Sequence, residues 1–190
     1  MDIPLVLRAR GDSTLEYGIP AWYRLIMAAI LALILAALFV SEGPPGILGW
    51  IFIAINLFAA LYEERWTFDA KKGELRHRFG LVFAARTLRL PFASISAFRL
   101  EALVRGTLPG SQDERAENER ALAESRGQQI TDQLPGKRRP MYKKAYISLV
   151  CESPETKFLL NTVPARNGPK LRLAASSIAD FCGKPLEEGQ

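Results

Sequence analysis

The chain of 190 residues has very few of the side chains that carry catalysis: two cysteines and one histidine. Cys151 and Cys182 allow at most one disulfide. No CxxC pair or Cys/His cluster exists, which argues against a structural zinc site. Both cysteines fall at apolar-patterned positions, as free buried cysteine usually does, and a cytoplasmic domain keeps such thiols reduced. With His77 alone, a nucleophile–histidine triad has one candidate base. His77 shares a strand face with Leu75 and Phe79, which points to packing. GxSxG, Walker-type and dinucleotide fingerprints are missing. The sequence therefore offers no catalytic residue, no metal ligand set and no cofactor, and the expectation is a protein that is not an enzyme.

Charge is also missing where it matters. Between Leu25 and Tyr62 the one charged residue is Glu42. Apolar content of 48% is ordinary for a globular chain, but here it is segregated. Residues 1–62 carry Arg8, Arg10 and Arg24 against Asp2, Asp12, Glu16 and Glu42, a net −1. The whole chain is +5, which leaves +6 for residues 63–190. A mildly basic domain suits an anionic leaflet. Nucleic acid is not expected, because no basic stretch is interleaved with exposed aromatics.

Two apolar runs, Leu25–Val40 and Ile47–Tyr62, have 16 residues each. At the helical rise each extends about 24 Å, a little short of the ~20 residues a spanning helix prefers. Trp22, Tyr23, Tyr62 and Trp66 supply interfacial aromatics, and Arg24 can snorkel outward. Ser41–Gly46 holds two prolines and two glycines, which stop one helix and start the next. The expectation is a transmembrane hairpin over residues 21–63, preceded by an N-terminal cytoplasmic segment, 1–20. The connecting loop has no Lys or Arg, whereas Arg8, Arg10, Arg24, Arg65, Lys71 and Lys72 flank the pair. The positive-inside rule then places both termini in the cytoplasm of a multi-pass inner-membrane protein. Ala28, Ala32 and Ala36 form a small-residue stripe suited to close helix packing, against the second helix in preference to another copy. Asn56 is the strongly polar side chain inside a run, and can bond the first helix or another subunit.

After Tyr62 the pattern becomes short and alternating. Trp66–Phe68, Leu75–Phe79, Arg86–Leu90, Ser94–Leu100, Ala145–Cys151 and Lys157–Val163 read as six strands in meander order. Asp69 reads as a turn residue before Lys71-Lys72-Gly73. Glu63-Glu64 beside Arg65 reads as an interfacial charge pair. Pro169 opens a final helix with the apolar stripe Leu171, Ala174, Ala175, Ile178, Phe181 and Cys182, closed by Gly183 and Pro185. The string WTFDAKKGELRHRFG, Trp66 to Gly80, resembles the opening hairpin of bacterial PH-like domains in small membrane proteins. PFASISAF, Pro91 to Phe98, and LAASSIADFCGKPL, Leu173 to Leu186, resemble a later strand and the closing helix of the same domains. The resemblance implies an antiparallel PH-like β sandwich or partial barrel over 64–190, capped by a C-terminal helix. It carries over no catalytic residue.

A charged insertion, 105–144, interrupts that domain. Asp113–Arg126 reads as a solvent-exposed helix or as disorder. Lys137, Arg138, Arg139, Lys143 and Lys144 then gather five cations in eight residues, either as a solvated loop or as a contact for anionic lipid or a protein partner. The chain is thus expected to be an α+β membrane protein. Its PH-like module binds a protein partner or anionic lipid headgroups at the cytoplasmic face. The alternative is an accessory subunit of a membrane complex, or a homo-oligomer, assembled through the hairpin.

Overall fold

A computed structural model describes residues 5–40, 46–105, 111–127 and 144–189. The chain is α+β, with two largely antiparallel sheets and a helix near its C-terminus. It divides into two compact units, Met1–Arg89 and Leu90–Gln190.

The first unit is a five-stranded sheet with two helices inserted into it. Its strands are β1 (Val6–Ala9), β2 (Thr14–Gly18), β3 (Tyr62–Asp69), β4 (Glu74–Leu81) and β5 (Arg86–Pro91), neighbours in that order. Residues 1–20, read from sequence as an N-terminal segment with no strand assigned, supply two strands from among the described residues. Leu15 and Tyr17 are buried and alternate with Glu16 and Gly18, but two short strands give little periodicity to read. β1 pairs with β2, and the other partner of β2, β3, lies some fifty residues further on, paired through Leu15↔Phe68, Tyr17↔Trp66 and Gly18↔Arg65. The buried face of the sheet carries Leu15, Tyr17, Trp66, Phe68 and Leu75. Asp69 acts as the turn residue expected of it, its Oδ1 accepting from Lys72 N–H at 3.1 Å.

Between β2 and β3 run α1 (Ala21–Val40) and α2 (Ile47–Leu61). Since β2 and β3 are antiparallel neighbours, the chain leaves and re-enters the sheet at one end, and the helices form an excursion from a single β-hairpin connection. Gly18 permits this exit. A Cβ there would lie 2.7 Å from Glu64 O, and the next residue, Ile19, donates its N–H to that same oxygen at 3.1 Å. α1 is long and apolar enough to cross a membrane by length and composition, whereas α2 is a shorter apolar helix of 15 residues. The expected pair of equal runs is therefore unequal: α1 begins four residues earlier than its apolar core, and Tyr62 belongs to β3.

The second unit contains β6 (Ala97–Arg105), α3 (Gln112–Ser125), β7 (Lys144–Glu152), β8 (Lys157–Pro164), α4 (Gly168–Cys182) and β9 (Leu186–Gly189). The sheet order is β8-β7-β6-β9, with β9 parallel to β6 and the other pairs antiparallel. β3 to β8 overlap the six strands read from sequence, with β3 longer than its reading and β6 beginning at Ala97 after a 3-10 turn over Phe92–Ser94, but the meander breaks between β5 and β6 into two sheets. α4 has its expected bounds, with Pro169 in its first turn and Gly183 as a left-handed C-cap at φ 63°. Leu171, Ala175, Ile178 and Cys182 are buried, with Ala179 beside them. They complete a core with Phe98, Leu100, Ile147, Leu149 and Leu160, all essentially inaccessible.

The insertion is in part a structural element. α3 is neither solvent-exposed all round nor disordered: Glu117, Ala121, Leu122 and Ser125 are buried, and it packs on α4, β6 and β7. Ser111 caps it, accepting from Glu114 N–H at 3.1 Å. Few large apolar residues are needed because α3 and α4 approach closely. A Cβ on Gly168 would stand 2.6 Å from Ser125 Cβ.

Candidate functional site

The end of the first sheet where the helices enter gathers the distinctive groups of that unit. Tyr62 opposes Leu81 across β3–β4, so the β4–β5 connection arrives at the same end as Ile19, the start of α1 and the close of α2. Val82 N–H donates to Leu61 O, the last residue of α2, at 3.0 Å. Arg24 reaches from α1, its Nε donating to Ala60 O at 3.3 Å, and so satisfies a carbonyl at the C-terminus of α2. Trp22 and Tyr23 stack edge to face with ring centres 6.1 Å apart. An open cavity of about 270 Å³ lies here, lined by Ile19, Tyr23, Phe58, Ala59 and Tyr62. Its walls are almost wholly apolar.

The candidate packing residues lie on α1 and α2. In α1 the partly covered positions are Tyr23, Arg24, Met27, Leu31, Ile34 and Leu38, a continuous stripe at helical spacing. Ala28, Ala32 and Ala36 are exposed. Ala28 and Ala32 each follow a stripe residue directly and are therefore rotated about 100° from it. The stripe that faces inward is built of larger side chains, and the alanines point outward. Asn56 is half-covered, and its Nδ2 donates to Phe52 O at 2.9 Å within α2. Its amide hydrogens thus have an acceptor in the preceding turn of the same helix.

Lys137, Arg138, Arg139 and Lys143 lie outside the described residues. Lys144 opens β7 as the register partner of Arg105. The charge pair read at Glu63-Glu64-Arg65 is wider than the sequence suggested. Glu63 is buried at 8% exposure and meets Arg65 at 3.3 Å and Arg78 at 3.4 Å, while Glu64 turns to the opposite face.

On that opposite face His77 stacks on its cross-strand partner Trp66, rings parallel within 2° and centres 3.5 Å apart, and also on Phe79 at 4.8 Å. Its Nε2 lies 3.8 Å from Glu64 Oε1, beyond hydrogen-bond range, and both His77 Nε2 and Trp66 Nε1 are buried without a partner. The arrangement suits packing better than proton transfer. Among the described residues no group of three or more His, Cys, Asp or Glu could hold a metal ion.

In the second unit the charged groups close the C-terminus. Glu188 of β9 pairs with Arg126 at the end of α3 and with Arg172 of α4, whose NH2 also donates to buried Ser125 Oγ at 3.0 Å. The Arg126 hydrogen bond, then that of Arg172, holds the Glu188 carboxyl below the usual range against the opposing effect of burial. Glu187 meets Arg99 at 2.8 Å, and Arg99 in turn meets Glu152 at 3.0 Å. Burial pushes both thiols, Cys151 and Cys182, up to about 12. These are unreactive, packed cysteines.

Sequence reading missed the β4–β5 tip. The signal was available: Leu81-Val82-Phe83-Ala84-Ala85 is an apolar run in a place that calls for turn residues. No family model matches the chain, and no curated protein matches it.

Proposed function

We propose that the chain is a non-enzymatic, membrane-anchored module. In this reading α1 and α2 cross an inner membrane as a hairpin, and both termini are cytoplasmic. The sheets form a PH-like module that binds a protein partner or anionic lipid headgroups. The observation that carries the reading is the surface of the helices. None of the residues Ala21–Leu38 is buried, and α2 has no buried residue either. Leu25, Leu33, Ile47, Leu48, Trp50 and Phe52 are each more than half exposed. Helices apolar on every side are stable in hydrocarbon and a liability in water. At 15 residues α2 rises about 22 Å; local thinning of the bilayer or tighter helix association accommodates such a shortfall. Largely antiparallel sheets and a helix near the C-terminus support the PH-like part of this reading.

The test combines topology with capture. Reporter fusions at residues 1 and 190 should both give cytoplasmic signals, and carbonate washing should leave the chain in the membrane. An extracytoplasmic signal at either end, or release by carbonate, overturns the anchoring. The outward alanine stripe favours a second reading, an accessory subunit whose hairpin packs against another membrane protein. Stoichiometric co-purification in mild detergent, lost on replacing Ala32 by Leu, would select it.

A further inference from the structure

The β4–β5 connection is a tight turn with the wrong residues for water. Ala84 N–H donates to Leu81 O at 2.8 Å, so Val82 and Phe83 occupy the two central turn positions. Such positions ordinarily take Gly, Pro, Asn, Asp or Ser, because the chain is exposed and sharply bent there. Here Phe83 is 75% exposed and Val82 37%. Gly80, at φ 121°, keeps the turn close: a Cβ there would come within 3.3 Å of Ala84 O. The tip is therefore held in one shape with its apolar centre outward. A local rule broken at a held, exposed position marks a place where something else covers the surface.

Two further observations identify the cover. The tip is fixed to the end of α2 by the Val82–Leu61 backbone bond, level with Trp22, Tyr23 and Tyr62 at the base of the helices. Cations also belong to this end of the sheet. Arg86 opens β5 three residues after Phe83 and has no acidic partner among the described residues, nor has Arg24. Arg78, whose Nε meets Glu63, turns NH2 to Val82 O at 3.4 Å. An apolar turn with arginines at its end of the sheet, Arg86 and Arg24 among them without an acidic partner among the described residues, matches the boundary between anionic headgroups and acyl chains, not a neutral protein surface.

We propose that the β4–β5 tip is a second membrane-contact element: Val82 and Phe83 enter the headgroup–acyl boundary of an anionic phospholipid bilayer, and Arg86 and Arg24 engage phosphate. The proposal rests on the membrane reading above. It makes the sheet end, and not the helices alone, set how the first unit stands on the bilayer. The far end of β4, with Lys71 and Lys72 in the adjoining turn, then stands roughly 25 Å away at the strand rise.

The test uses the full chain in lipid nanodiscs containing phosphatidylglycerol, with nitroxide-labelled phospholipids as quenchers. Single cysteines at Phe83→Cys, Lys72→Cys and Leu33→Cys carry an environment-sensitive fluorophore; Cys151 and Cys182 are buried and stay unlabelled. Quenching at 83 by shallow nitroxides and at 33 by deep nitroxides, with none at 72, is the expected result. Adding Arg86→Glu should lower the inserted fraction at 83 roughly fivefold in anionic discs, and much less in phosphatidylcholine discs or high salt. Quenching at 33 with position 83 behaving like 72 overturns this proposal and leaves the membrane reading standing. A blue-shifted probe at 83 that nitroxide lipids do not quench means a protein covers the tip, and also overturns it. An unquenched probe at 33 removes the membrane reading, and this inference with it.

Discussion

Replacing Gly168 by Ala tests how α3 is held, because the insertion's burial depends on one close approach. Gly168 opens α4 at φ −52°, ψ −42°, a conformation alanine adopts freely, so the backbone itself is not strained. The added Cβ, however, would stand 2.6 Å from Ser125 Cβ and 3.0 Å from Ser125 Cα, against an ordinary carbon–carbon contact of about 3.5–4.0 Å. α3 must then retreat by about 1 Å, loosening Ala121 and Leu122, both buried. Overpacking of this kind costs about 1–3 kcal/mol, offset by roughly 0.4–1 kcal/mol from the smaller unfolded-state entropy of alanine. The expected net loss is about 1–2 kcal/mol, a five- to thirty-fold rise in opening. Hydrogen exchange of the amides in 112–125, measured by mass spectrometry on the full chain in detergent, reads it directly. Adding Ser125→Gly removes the nearer clash. The pair should then be less damaging than the sum of its members by about 1 kcal/mol, although Ser125→Gly alone loses the hydrogen bond to Arg172. Unchanged or increased protection in Gly168→Ala would refute the reasoning, and would mean α3 does not rest on α4.

Ile178→Ala should destabilise the second unit by about 2–5 kcal/mol, since Ile178 is fully buried; unfolding followed by thiol exposure of Cys151 and Cys182 would check it. Glu188 is held below the usual carboxylate range by Arg126 and Arg172. Its contribution is therefore present above the unfolded value of about pH 4 and is lost as pH falls through the native value. Glu188→Gln should flatten the acid limb of stability against pH, and an unaltered limb would show that the cluster contributes nothing. Both thiols are pushed up to about 12 by burial. Alkylation at mild pH should require unfolding, and native stability should decline as pH rises from about 9 towards 12 because the unfolded thiols ionise first. Rapid modification of the native chain would contradict the burial.

Several features could be read directly from the amino-acid order. α1 and α2 follow from continuous apolar runs, α4 and the six strands from apolar periodicity, and the turn at Asp69–Gly73 and the close of α4 at Gly183 from turn and cap chemistry. Each depends on residues a few positions apart, and the hydrogen bonds that satisfy them are local. His77 was also legible as a packing residue, since alternation alone puts it beside Leu75 and Phe79. The tertiary structure decided what depends on distant partners. β2 is a strand because β3 lies beside it, fifty residues later. β5 and β6, neighbours in sequence, belong to different sheets, and β9 pairs parallel to β6. α3 looked like a polar helix by composition, yet Gly168 lets it sit deep enough to bury Ala121 and Ser125. The alanine stripe of α1 is exposed, and the partly covered stripe is the neighbouring one from Tyr23 to Leu38, because a uniformly apolar helix carries no signal in its own residues for which side is covered. The cations and aromatics at the sheet end are scattered from Trp22 to Arg86 in sequence. They form one site only because antiparallel pairing brings Gly18, Tyr62 and Leu81 to the same edge.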